Sequence, residues 1–127
     1  MEYTTEYDDT NGICRVHVTG SHKRPEDSLV LQQFARGFAE ERGCLRFLFD
    51  MTRAEIRGDT LDIHQAGKFP GDTDYRQARQ QIALVFADVT GDHRFLENVA
   101  INRGYNVRVF SDTDQAVRWL TWKQPDV

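Results

Sequence analysis

A chain of 127 residues with 16 basic and 20 acidic side chains, net charge -4, has the size of one domain and needs neither disulfides nor metal to hold a core. No Lys/Arg cluster is dense enough to track a phosphate backbone, which argues against nucleic acid as a partner. No apolar run nears the roughly 20 residues of a membrane span. The residues Met1 to Glu6 also lack the basic and apolar regions of a signal peptide, so a cytoplasmic location is expected.

Tyr3-Thr4-Thr5-Glu6-Tyr7 predicts a strand, and Asp8 to Gly12 holds the Asn-Gly pair of a tight hairpin turn. Ile13 to Thr19 then returns as a second strand, antiparallel to the first, which Gly20 and the polar residues Ser21 to Arg24 are expected to end. Pro25 suits the first turn of a helix, where its missing N–H costs nothing. Glu26 and Asp27 follow, at the positive end of the helix dipole. Val30, Leu31, Phe34, Ala35 and Phe38 recur at helical spacing on one face, and Gly43 is a natural stop.

Leu45 to Phe49 predicts a third strand ending at Asp50, with Thr52 to Gly58 as a loop. Asp59 or Thr60 can cap a shorter helix to about Lys68, broken by Pro70-Gly71, and Asp72 to Gln80 is polar with a turn or two of helix. Ile82 to Ala87 is apolar throughout, as in a central strand covered on both faces. Thr90 or Asp92 can cap the next helix, with Phe95, Leu96 and Val99 inward and Gly104 as its stop. Asn106 to Phe110 reads as the last strand. Ser111 with Asp114 then forms a capping-box pattern before a helix carrying Ala116, Val117, Trp119, Leu120 and Trp122.

The order β-β-α-β-α-β-α-β-α predicts a single α/β domain over residues 1–127, with a mainly parallel sheet of about five strands and the first strand antiparallel. Cys14 and Cys44 sit among apolar strand residues and are expected to be small buried hydrophobes in a reducing compartment. Cys14 and His17 are three apart in a strand, so they face opposite ways and cannot form a local dyad.

Ligands of open α/β sheets bind outside the carboxyl ends of the strands. Those ends and the helix starts that follow supply Asp50, Asp88, Asp92 and Asp112, an acidic rim that could hold a cation or meet a basic partner. Asp59, Asp62 and His64 would add hard ligands beside Asp50. Asp is equally the residue that caps helices and forms loops at such places. There is no dinucleotide fingerprint, no P-loop, no nucleophile elbow and no zinc spacing, and no cofactor is implied.

The closing stretch Asn106-Val107-Arg108-Val109-Phe110-Ser111-Asp112, followed by a capped helix with Ala116 and Trp119-Leu120, resembles the ending of the bacterial SpoIIAA-like family. That family is related to the STAS domains of anti-sigma-factor antagonists and, in fold, to CRAL-TRIO lipid-exchange domains. The resemblance runs by pattern from about Tyr3 to Trp122. It implies a four- or five-stranded sheet with packed helices, no cofactor, and binding of a protein or a lipophilic ligand. STAS antagonists carry a phosphorylated serine after an aspartate at the start of the second helix. Asp59-Thr60 stands in that place here, although the small residues that follow it in antagonists are replaced by Leu61-Asp62.

The expected function is therefore a non-enzymatic regulatory or protein-binding module. Its docking surface would be the second helix and the preceding loop, with Asp59, Thr60 and His64 as contact or switch residues. The alternatives are a carrier or sensor of a small lipophilic molecule and, further down, a metal-assisted enzyme at the acidic rim. Trp119 and Trp122, near the end of the last helix, are expected to leave one indole exposed for a partner or a second subunit.

Overall fold

Alternation along the second strand sets the architecture. Cys14, Val16 and Val18 are buried on one face of the sheet, while Arg15 and His17 on the other are only half-buried. The computed structural model describes residues 1–23, 26–57, 80–102 and 106–122. These form β1 (Glu2–Asp8), β2 (Ile13–Lys23), α1 (Glu26–Arg42), β3 (Arg46–Arg57), β4 (Gln81–Val85), α2 (Gly91–Asn102), β5 (Asn106–Phe110) and α3 (Thr113–Thr121). The five strands make one sheet in the order β1-β2-β3-β4-β5, with β1 antiparallel to β2 and the rest parallel.

Helices cover both faces. Leu31 and Ala35 of α1 pack with Cys14, Val16, Val18, Phe47, Phe49 and Met51, and Phe34 and Phe38 join them. On the opposite face, Ala116 and Leu120 of α3 close over Ile13, Leu48, Ala83 and Val85, with Trp119 resting on Phe110. The apolar stretch Ala83 to Phe86 is thereby covered on both sides, as its composition requires. Both cysteines are buried and unpaired.

Several local expectations are corrected. The hairpin loop has four residues, because Asp8 pairs with Ile13; Gly12, at φ 66°, donates its N–H to the Asp8 carbonyl. Gly20 does not end β2, which continues to Lys23. Nor does β3 end at Asp50: Thr52 to Arg57, expected as loop, is strand paired with the extended end of β2. Both extensions require the other, since neither stretch could satisfy its backbone groups alone.

Among the helices, Val30 is exposed rather than inward, as is Phe95, while Glu97 is buried in its stead. Asp112, not Ser111, caps α3: its carboxylate accepts the Asp114 N–H at 2.8 Å. Thr90 caps α2, where its hydroxyl faces the His93 N–H at 3.5 Å and its own N–H donates to His93 Nδ1 at 3.2 Å. This is a capping box with imidazole in place of the usual carboxamide or carboxylate. The His93 ring stacks on Phe86 at 3.8 Å between centroids. The helix expected from Asp59 or Thr60 to Lys68 lies outside the described residues.

Candidate functional site

Asp50 is the rim residue whose surroundings are best defined, and it does not lie at a strand end. It sits within β3 where the pairing with β2 slips: His17 pairs with Asp50, but Thr19 pairs with Arg53. Two steps along β2 thus match three along β3, which is a β-bulge. Asp50 Oδ1 holds the extra residue by accepting the Thr52 N–H at 3.0 Å and the Thr52 hydroxyl at 2.6 Å. Its other oxygen, Oδ2, lies 3.4 Å from His17 Nδ1, whose Nε2 is 3.6 Å from Glu6. Partial burial pushes the Asp50 carboxyl up, but the bonds from Thr52 and His17 outweigh it and hold the group below its ordinary value.

The bulge changes what the strand presents. Before it, Phe47, Phe49 and Met51 face α1; after it the phase inverts, so Ala54 and Ile56 take that side, opposite Gly20 and His22. Arg53, Glu55 and Arg57 are left exposed, with Arg57 bonded to Glu55 at 3.0 Å. Because β4 stops at Val85, opposite Asp50, the run from Met51 to Arg57 has no strand on that side among the described residues.

At the end of β2, His22 is buried against α1, with Nε2 3.0 Å from the Ser28 hydroxyl and Nδ1 3.2 Å from Met1 Sδ. Sequence reasoning missed this serine–histidine contact, which joins the end of β2 to the first turn of α1 six residues on. The Ser28 hydroxyl and the Met1 thioether thus meet the two ring nitrogens of His22.

The other rim residues are dispersed. Asp88 is exposed beyond β4, Asp112 is committed to its cap, and Asp92 lies in the first turn of α2. Among the described residues, no three His, Cys, Asp or Glu side chains converge as metal ligands would. Asp59, Thr60, Asp62 and His64 lie outside the described residues. Trp119 is half-buried on Phe110, and Trp122 is 63% exposed. No described helix is long and apolar enough to cross a membrane.

No protein-family model matches the sequence, and no curated protein matches it. Among solved structures, the chain is similar to an uncharacterized protein of the DUF3478 family, with a SpoIIAA-like fold, from Shewanella loihica PV-4. The similarity covers 94% of this chain and 92% of that one, with a TM-score of 0.52 and 12% sequence identity. The fold is SpoIIAA-like. In this SpoIIAA-like frame, one antiparallel edge strand leads into four parallel strands, as the sequence pattern implies.

Proposed function

We propose that the protein is a non-enzymatic regulatory module that binds another protein through the far end of β3 and the segment that follows it, including Asp59, Thr60 and His64. The observation that carries this reading is the length of β3. It runs to Arg57, seven residues past its last pairing with β4, and so, among the described residues, offers a strand edge and a row of charged side chains together. Lys23, Arg53 and Arg57 outnumber Glu55 on the exposed face of this ribbon, which suits an acidic segment of the partner. Main-chain pairing would supply affinity and the side chains selectivity. The SpoIIAA-like frame supports a binding role.

Site-specific photocrosslinking tests it. A photoreactive residue at position 53 or 55 is expected to trap a discrete protein partner, and excess unlabelled protein to suppress the product. The same residue at the exposed position 115, on α3, is expected to trap none. Identical products from all three positions, or none from positions 53 and 55, would reject this surface.

A further inference from the structure

The two edges of the sheet are finished differently. At β5, the Phe110 carbonyl accepts the Phe86 N–H at 2.9 Å, so the neighbouring Val109 directs its N–H and carbonyl away from β4. Both are engaged by α2: Glu97 accepts the Val109 N–H at 2.7 Å, and Arg94 donates to its carbonyl at 3.5 Å. At Val109 the edge is closed by a side-chain pair in place of a strand.

The outer edge of β1 has no such cover among the described residues. Glu2 to Tyr7 are all exposed, no strand lies beyond them, and the strand contains neither proline nor lysine, two common means of blunting an edge. Its two faces differ sharply. Tyr3 and Tyr7 point to the α1 side, where Tyr3 meets Phe34 edge-on at 5.6 Å and Tyr7 meets Phe38 at 6.2 Å. Phe34 and Phe38 are themselves 5.8 Å apart, so the four rings form a continuous aromatic shelf beside the edge. Tyr3 and Tyr7 remain 37% and 45% exposed despite these contacts. The opposite face carries Glu2, Thr4, Glu6 and Asp8; Arg15, paired with Glu6, turns to Asp8 at 3.4 Å, and His17, paired with Thr4, lies 3.6 Å from Glu6.

We propose that the outer edge of β1 is a strand-addition site for an extended segment of another protein that alternates basic with apolar residues. Strand addition supplies the backbone bonds, and the side chains of the added strand alternate between the two faces. Apolar residues would lie against Tyr3 and Tyr7, and Lys or Arg at the intervening positions would face Glu2 and Glu6. Charge also decides against a second copy of this chain as the occupant. Antiparallel self-pairing about Thr5 would set Glu2 opposite Asp8 and Glu6 opposite Thr4, bringing like charges into one ribbon. This site is at the opposite edge of the sheet from the strand available for pairing in β3, and it stands or falls independently of that docking reading.

The test uses a labelled heptapeptide in which lysine alternates with phenylalanine or valine, and a matched peptide with glutamate for lysine. Binding by fluorescence anisotropy is expected for the basic peptide alone, weakened by added salt, with amide-exchange protection confined to β1 and its pairing partners. The E2K/E6K double variant, checked for native circular dichroism, is expected to weaken the basic peptide about tenfold and to strengthen the acidic one. A single E6K variant, expected to show about half the effect on a logarithmic scale, serves if the double variant fails to fold. Absence of binding, equal binding of both peptides, protection elsewhere, or self-association through β1 would each overturn the proposal.

Discussion

Asp50 and Thr52 are joined twice, through the Thr52 N–H and hydroxyl, across the one extra residue by which β3 outruns β2. A carboxylate aimed at the backbone of a bulge is a structural device, and it also aligns His17. Replacing Asp50 with Ala removes charge-assisted bonds to the exposed Thr52 N–H and hydroxyl and is expected to destabilise the fold by about 1 kcal/mol. Urea unfolding measures the loss. Hydrogen exchange should place its local effect at residues 19–23 and 53–57, while the β4–β5 pairing keeps its protection.

The same carboxylate gives stability a direction in pH. Its value in the fold lies below its ordinary one, so its contribution is fully present above the unfolded value and is lost as pH falls through the folded value. Asp8 behaves alike, chiefly through its hydrogen bond from Asn11 and with help from Arg15. The protein should therefore lose stability on acidification below about pH 4. In D50N that loss should be shallower, as read by denaturant midpoints across pH 2.5 to 7.

Glu97 secures the β5 edge from a nearly buried position, bonded to the Val109 N–H and to Arg94. Glu97→Ala leaves that N–H without its acceptor, at an expected cost of about 1–3 kcal/mol. Glu97→Gln keeps an acceptor oxygen and should cost less. The ordering of the two midpoints in thermal unfolding is the check, and equal losses would point to the charge on Arg94 as the more important partner.

Cys14 is fully buried, and its thiol is pushed up to about 11 by burial, with Cys44 adding to the effect and Arg42 opposing it. Only the thiolate reacts with alkylating agents. Iodoacetamide at pH 8 should leave Cys14 unmodified in the native protein and label it completely in urea, as mass spectrometry of the two samples would show.

Gly43 ends α1 at φ 68°, donating its N–H to the Ala39 carbonyl at 2.8 Å. An added Cβ meets nothing there, so the penalty of Gly43→Ala is the left-handed backbone itself, expected at about 1 kcal/mol. Urea unfolding of this variant isolates that contribution.

Strand direction and the two-sided core were readable from alternation and helical spacing, because Cys14, Val16 and Val18 and then Leu31 and Ala35 each repeat with the period of their element. The extension of β3 was not, for a local reason. Across Phe49-Asp50-Met51-Thr52-Arg53-Ala54 the bulge reverses the alternation, and a polar run after an Asp reads as loop unless the slip is known. Glu97 was hidden for the same kind of reason: its partner is a backbone N–H twelve residues on, and no side-chain pattern advertises it. Of the residues singled out as a site, Asp50 took on a defined structural task. The contact of Ser28 with His22, six residues away, depends on how α1 folds back on the end of β2, which no residue spacing displays.

The Arg94–Glu97 closure of β5 also limits what assemblies the sheet can join. A strand added at β1 finds, at the far side, an edge whose outward backbone groups at Val109 are already occupied. In the language of polymers, such a molecule is monofunctional through its sheet ends. It can terminate a growing stack of strands at β1, while at the far side the groups that would pass the growth on are occupied at Val109.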